Sequence, residues 1–278
     1  MPGSLAGPRK IVRVSRLNIR SACSIEDHIA THRAACYNLT NDVYVSALGQ
    51  LDHLLPKEVT ADWKSKTVLF VYVDEGVGSL LLHRGRVVRG AGFGGPLGHA
   101  IVEAAGQYLD GFRARGALEV YCSRPGLSSY VVNRYYTDQD KKEIDGDRQR
   151  VLSLTAFRRA ISTITLNEKE TLPYDVLRDG VNNSDPLLLF ALREAADYLG
   201  VAVSHLLVTL NPHLVVLDGA MFHQLPQFFD LRLESLRRYT WVDAWNSTTT
   251  TIRSIPNDAV AIYGVICAAR KGLSFHEA

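Results

Sequence analysis

A histidine at the end of a glycine-rich stretch is the first residue whose setting suggests chemistry. Glycines occupy positions 90, 92, 94, 95 and 98, and His99 follows directly. Five glycines in nine residues do not form a packed element, but they let the backbone approach a bound molecule or take positive φ. An imidazole at the end of such a loop is therefore a candidate ligand-facing group.

Two predicted strands lead into this loop. Residues 68–73 form an unbroken apolar run, which is typical of a strand buried on both faces. Gly76 and Gly78 interrupt the run and residues 79–83 resume it, so the sequence predicts a β-hairpin. A second tight turn at residues 84–86 returns the chain toward the glycine-rich loop.

The composition is that of an ordinary globular protein. The 278 residues are 46% hydrophobic and 22% charged, and the net charge of +2 gives no global reason to expect nucleic-acid binding. Four scattered cysteines without C-x-x-C spacing favour buried thiols over a disulfide framework or a metal cluster. Because no apolar run reaches the roughly 18 residues of a membrane span, we expect a cytoplasmic protein.

The stretch of residues 68–119 resembles the signature of the ROK family, which groups repressors, open reading frames and sugar kinases. That signature combines an aliphatic residue, a G-x-G hairpin, a later glycine and a closing Gly-His. The matching residues are Val73, Gly76, Val77, Gly78, Gly90, Gly95, Gly98 and His99. Leu80 departs from it, since a small residue is usual there. The resemblance covers nearly the whole chain and implies an α/β, actin-like ATPase (ribonuclease H-like) fold with two lobes.

The resemblance also implies that the N-terminal lobe is incomplete. Pro2 and Gly3 resemble a segment midway through the family's first lobe, which would place the family's D-x-G phosphate loop and its repressors' helix-turn-helix outside this chain. We expect residues 1–43 to be a remnant of that lobe, with a helix at 258–278 packing near it, and residues 44–257 to form the C-terminal lobe. Taken alone, the basic residues of 1–24 leave a solvated segment, a transit peptide and a nucleic-acid-facing arm open.

Two polar residues precede a predicted amphipathic helix. Asp42 on its own could simply be the N-cap of that helix. The resemblance implies instead that Asn41 hydrogen-bonds a sugar and that Asp42 is a general base, although Tyr44 replaces the family's second asparagine. It further implies that His99 and Glu119 complete the ligand-binding set with Asn41 and Asp42. The alternative is that His99 packs against its own loop and Glu119 is a surface charge.

The family's zinc-binding cysteines are missing. Family members carry a C-x-C-G-x-x-G-C-x-E loop after the Gly-His pair. The corresponding residues 107–119 contain no cysteine, and Ala117 stands at the position of the last one. His99 alone does not make a structural zinc site, so we expect no metal.

The nucleotide-facing positions also depart from the family's kinases. Gly76, Gly78 and Gly219 are remnants of its phosphate and adenosine positions. Asp74 and Glu75, however, replace neutral residues of the G-T-G-x-G hairpin. Carboxylates at these two positions would repel the phosphates of ATP.

Two more substitutions bear on function. Asp218 replaces the first glycine of a G-G pair that makes room for adenosine in the family. The alternative interpretation of residues 218–220 is an ordinary turn at the end of a strand. Pro96 replaces the carboxylate of the family's G-E-x-G-H. We therefore expect a non-catalytic regulator that senses a sugar or sugar derivative, needs no cofactor, forms a homodimer and contacts DNA only through a segment absent from this chain. The alternatives are an ATP-dependent sugar kinase with Asp42 as its base and a ligand-free dimerisation scaffold.

Overall fold

The computed structural model describes ten ranges of the chain: 4–5, 10–13, 23–24, 42–90, 95–108, 115–140, 156–164, 171–248, 250–257 and 259–270. Three short strands come first, β1 (Ser4–Leu5), β2 (Lys10–Arg13) and β3 (Cys23–Ser24), and they pair antiparallel in that order. The sequence pattern predicts a short helix at 24–32 and a short strand at 36–40, and both lie outside the described residues, except that Ser24 belongs to β3.

A five-stranded mixed sheet forms the centre of the molecule. Its strands are β4 (Thr67–Val73), β5 (Val77–His83), β6 (Arg86–Val87), β7 (Leu214–Asp218) and β8 (Thr250–Arg253). The order across the sheet is β6-β5-β4-β7-β8. β4 pairs antiparallel with β5 and parallel with β7, which confirms the predicted hairpin, and β8 runs parallel to β7.

Helices surround this sheet. Within the described ranges they are α1 (Asp42–Gly49), α2 (Lys57–Thr60), α3 (Leu118–Cys122), α4 (Arg124–Asp140), α5 (Ala156–Thr163), α6 (Tyr174–Asn182), α7 (Pro186–Leu210), α8 (Ala220–Gln224), α9 (Pro226–Tyr239), α10 (Val242–Ser247) and α11 (Val260–Arg270). A π-helical turn, Gln50–Leu54, continues α1. No helix in this part of the chain combines the length and apolar character that crossing a membrane requires.

The core lies on both faces of the sheet. Side chains alternate between the faces of a strand, so Leu69 and Val71 of β4 pack into a large cluster with helices α3 to α9. Val68 and Phe70 point the other way and pack into a smaller cluster with α1. The prediction that residues 68–73 are buried on both faces is therefore confirmed.

The pairs Asp185-Pro186 and Asn211-Pro212 predict the start and the end of a long core helix, and α7 has these limits. The carboxylate of Asp185 accepts hydrogen bonds from the backbone N–H groups of Leu187 and Leu188, and Pro186 occupies the first turn. Asn211 ends the helix in the left-handed conformation with φ of 41°. Asp185 also forms a buried ion pair with Arg158 of α5.

The mixed charges of residues 137–172 predict a solvated insertion around a helical piece at 152–161, and this prediction of a solvated insertion is wrong for the part that the structure describes. Phe157 and Ile161 of α5 are fully buried in the large cluster, and so is Leu172. Phe157 and Ile161 are four residues apart and therefore lie on one helix face. The charged residues around them make this apolar helix face hard to recognise in the sequence.

Helix α11 packs closely against α1. A Cβ atom at Gly49 would collide with the carbonyl oxygen of Val260, and one at Gly264 would collide with that of Val45. Glycine is therefore required on both helices at their contact. The expected helix at 258–278 corresponds to α11, whereas the division of the chain into lobes at residue 43 stays a prediction.

Candidate functional site

The carboxyl ends of the parallel strands β4, β7 and β8 meet at one edge of the sheet. Ligands of open α/β sheets bind outside such ends. Here Asp74 follows β4, Asp218 ends β7 and Ser254 follows β8. These three polar side chains therefore lie at the edge of the sheet where a ligand is expected.

Glu119 lies against the amino-terminal end of β5. Its Oε2 accepts a hydrogen bond of 3.0 Å from the backbone N–H of Val77. A Cβ atom added at Gly98 would lie 2.8 Å from the same Oε2. Glu119 is therefore beside the Gly98–His99 pair and is not an ordinary surface charge.

Asp42 is the first residue of α1 and is exposed, with Oδ1 accepting from the N–H of Val43 at 3.0 Å. A Cβ atom at Gly78 would lie 3.3 Å from a methyl carbon of Val43. The start of α1 thus packs on Gly78, whereas Glu119 binds the backbone of Val77. The start of α1 and the carboxylate of Glu119 therefore lie next to consecutive residues of β5.

The glycine-rich loop returns along the outer edge of β5. The carbonyl oxygen of Gly95 accepts from the N–H of Ser79 at 2.6 Å, and Gly90 and Gly95 both take positive φ as predicted. His99 ends a short 3-10 helix and is exposed. Asn41 and residues 91–94 lie outside the described ranges, so the place of Asn41 in the site stays a prediction.

The two carboxylates of the β4–β5 turn, Asp74 and Glu75, are both bonded to other side chains. Asp74 accepts from the hydroxyl of Tyr174 at 2.6 Å and from that of Tyr72 at 3.4 Å. Burial, followed by the hydrogen bond to Asp74, raises the pKa of Tyr174, so its phenol remains a donor. Glu75 forms an ion pair with Arg124. The negative charge of Glu75 is therefore compensated within the protein, and the repulsion of ATP phosphates by this turn stays a prediction.

The backbone of the turn is also bonded internally. The N–H of Asp74 donates to the carbonyl of Gly76 at 3.0 Å, and the carbonyl of Asp74 accepts from the N–H of Arg124 at 2.8 Å. The N–H of Val77 is used by Glu119. At least two amides at this turn thus already have protein acceptors.

Asp218, which the resemblance places at the family's adenosine position, has its carboxylate turned into the protein. It is 5% exposed, and it accepts from the hydroxyls of Ser46 and Ser254, each at 2.5 Å, and contacts His223 Nε2 at 3.2 Å. Burial acts to raise the pKa of Asp218, but the hydrogen bonds from His223, Ser254 and Ser46 outweigh it and lower that pKa. The carboxylate is turned inward and joins α1 to two other segments.

Gly219 is required by the backbone. Its φ is 110°, and a Cβ atom there would collide with the carbonyl oxygen of Val73. The residue therefore allows the chain after β7 to pass close to the end of β4. A role of Gly76, Gly78 or Gly219 toward phosphate stays a prediction.

Comparison with known proteins decides the family. A model of the ROK family matches residues 1–265. The chain belongs to the ROK family.

Named relatives of this ROK protein include kinases and a regulator. A glucokinase of Halalkalibacterium halodurans is 25% identical over 187 residues, which are 65% of this chain and 48% of that protein. The chain thus spans about half the length of this curated relative.

Solved ROK structures share the fold. A glucokinase from Streptomyces griseus, solved with glucose and AMPPNP, superposes with a TM-score of 0.73 over 97% of this chain and 80% of its own, at 17% identity. A ROK transcriptional regulator described as a homologue of the E. coli MLC protein gives 0.69 over 95% of this chain and 59% of its own, at 16% identity. The α/β, actin-like ATPase fold of the ROK family is therefore confirmed.

Where ROK members carry the zinc loop, this chain has a cluster of phenols. The carboxylate of Glu103 accepts from Tyr121 at 2.8 Å and from Tyr198 at 2.7 Å, and the two rings stack with centroids 4.1 Å apart. The Tyr121 hydroxyl also accepts from the N–H of Gln107 at 3.0 Å. Within the described ranges, no three His, Cys, Asp or Glu side chains are grouped to hold a metal ion.

Several residues of this site are not recognisable from the sequence alone. Tyr174 and Arg124 hold the turn, and Ser46, His223 and Ser254 hold Asp218. No short motif connects them, because each partner comes from a distant segment of the chain or from an ordinary helix. The Asn-Asp, Gly-His and Gly-x-Gly patterns, in contrast, are local and visible.

Proposed function

We propose that this ROK protein binds a hexose or hexose derivative beside Asp42, His99 and Glu119 and senses it without phosphorylating it. The observation that carries the second part of the proposal is the β4–β5 turn. Sugar binding rests on two positions: Glu119 binds the backbone of Val77, and the start of α1, which carries Asp42, packs on the adjacent Gly78 through Val43. It is supported by relatives solved with glucose and with sucrose.

A sugar kinase must hold the phosphates of ATP with backbone amides or cations. In this chain the turn that would face them contains Asp74 and Glu75, and only Glu75 has an arginine partner among the described residues. The Val77 amide donates to Glu119 and is not available to an anion. Both features oppose phosphate binding at the turn, and they favour a sensor over an enzyme.

An ATP-dependent sugar kinase is the second candidate, and the named relatives favour it over the sensor. The curated relative is called a glucokinase, and the S. griseus enzyme was solved with both glucose and a nucleotide analogue. Asp42 fits the base of such an enzyme, because its carboxylate is exposed at the start of α1. A ligand-free scaffold is the third candidate, and homodimerisation stays a prediction common to the candidates.

Calorimetry with glucose and a coupled assay of glucose-dependent ADP formation separate the candidates. We expect glucose to bind with a Kd in the high-micromolar to millimolar range, about 4–6 kcal/mol, and we expect no ADP formation. Turnover that disappears in Asp42→Ala would establish the kinase. Absence of binding for glucose and for N-acetylglucosamine would favour the scaffold.

A gain-of-function variant tests the turn directly. Asp74→Gly combined with Glu75→Thr recreates the neutral G-T-G-x-G hairpin of the family's kinases. If the carboxylates exclude nucleotide, this variant should bind ATP more tightly than the natural chain in the presence of magnesium. Glu58→Gln, which removes an exposed carboxylate on α2, is the matched control and should leave ATP binding unchanged.

A further inference from the structure

A buried carboxylate connects the end of β7 with the helix that carries Asp42. Ser46 follows Asp42 by four residues and therefore lies about one helical turn further along α1. Its hydroxyl donates to Asp218 Oδ2 at 2.5 Å. Both residues are almost fully buried, at 7% and 5% exposure. The bond is therefore shielded from solvent and fixes the first two turns of α1 to the sheet.

The other oxygen of the same carboxylate holds two further segments. Asp218 Oδ1 accepts from Ser254, which follows β8, and contacts His223 of α8. A second connection runs parallel to this one. Gln50 donates to the carbonyl of Ile255 at 2.7 Å and accepts from its N–H at 3.1 Å. The segment after β8 is thus tied to α1 and to the turn that continues it.

Ser254, His223 and Asp218 also have the residue types of a hydrolytic triad, but their geometry excludes that role. A triad uses the two ring nitrogens separately, one toward the nucleophile and one toward the acid. Here both Ser254 and Asp218 contact Nε2 of His223. Nδ1 is buried, and it has no hydrogen-bond partner among the described residues. The cluster is suited to holding segments together.

We propose that Asp218 is a positioning residue whose bond to Ser46 fixes α1, and with it Asp42, so that the sugar-binding cleft is formed before the ligand arrives. Asp218 does not touch the sugar in this proposal. It acts through Ser46, and it forms internal hydrogen bonds at a position where the family's kinases have glycine. The part that concerns sugar rests on the proposed function, whereas the fixing of α1 does not.

Two serine variants form a matched pair for the test. Ser46→Ala and Ser254→Ala each remove one hydroxyl that donates to Asp218 at 2.5 Å, but only Ser46 belongs to α1. We expect Ser46→Ala to raise hydrogen exchange at the amides of α1 by about tenfold or more and to weaken glucose binding about tenfold. Ser254→Ala should change both by less than about twofold, although it lowers the melting temperature comparably.

The outcomes distinguish this proposal from the proposed function. Equal effects of the two serine variants on α1, or normal α1 protection in Ser46→Ala, would overturn the positioning role even if glucose binds. If the natural chain binds no sugar but Ser46→Ala loosens α1, the proposed function fails and Asp218 still positions the helix. Ser46→Thr keeps a hydroxyl at this position and should restore the α1 protection that Ser46→Ala loses.

Discussion

Glu119 offers a sharp test of the cleft, because its carboxylate has two tasks that substitution can separate. Its Oε2 accepts the N–H of Val77, which is a buried residue. The same side chain is proposed to bind the sugar. Glu119→Gln keeps an oxygen that can accept the N–H but removes the charge, whereas Glu119→Ala removes both.

The two variants should therefore differ in stability and in binding. Leaving the Val77 amide without an acceptor costs about 1–3 kcal/mol of unfolding free energy, so Glu119→Ala should lose that amount and Glu119→Gln less than about 1 kcal/mol. Hydrogen bonds to charged groups contribute roughly 1.5–3 kcal/mol and neutral ones roughly 0.5–1.5 kcal/mol. Glu119→Gln should thus weaken sugar binding by about 1–2 kcal/mol, or roughly 5–30-fold in Kd.

Urea denaturation and calorimetry with glucose measure the two effects on the same samples. Glu58→Gln removes a carboxylate on α2 and serves as the control for the change in net charge. Unchanged glucose affinity in Glu119→Gln would refute the reasoning, because Glu119 would then serve only to hold the hairpin. If Glu119→Gln loses as much stability as Glu119→Ala, the glutamine oxygen does not replace the carboxylate as the acceptor of the Val77 N–H.

Three further outcomes are expected. Asp185→Ala should cost about 4–6 kcal/mol in urea denaturation, because it removes the cap of α7 and leaves the buried Arg158 unpaired, whereas Asp185→Asn keeps the cap and should cost less; equal losses would contradict this. Metal analysis should find no stoichiometric zinc, since residues 100–121 contain no cysteine, and about one zinc per chain would refute this. The pKa of Asp218 is lowered in the folded state, so its contribution to stability is complete above its ordinary value of 3.8 and is lost as pH falls below it. Acid unfolding of Asp218→Asn should lack this component, and an unchanged acid profile would argue against it.

The hairpin and the long helix could be predicted because their signals are local. An apolar run followed by Gly76 and Gly78 leaves few alternatives to a buried strand and a turn. The Asp185–Pro186 pair combines a capping carboxylate with a residue that is favoured at the first helical position. Each of these signals lies within a few residues of the structure that it specifies.

The hydrogen bonds that connect Asp218 with Ser46 and Ser254 could not be predicted in this way. Ser46 and Asp218 are 172 residues apart, and Ser254 is 36 residues from Asp218. Hydrogen bonds over such separations leave no periodic pattern in the sequence. The substitution of a glycine by Asp218 therefore suggests a charge that faces a ligand, whereas the structure gives this carboxylate donors from within the protein.

Contacts between distant segments also change the physical argument against phosphoryl transfer. Counting charges in the sequence gives two negative side chains in the turn, but Arg124, 49 residues beyond Glu75, compensates one of them. What remains is the charge of Asp74 and the use of hydrogen-bond donors within the protein. A nucleotide that used the Val77 amide would have to displace Glu119, which would leave a carboxylate next to an anion in place of a hydrogen bond. If Glu119 also binds the sugar, a phosphate at the Val77 amide and the sugar would compete for one side chain, and this competition supports the proposal of a sensor.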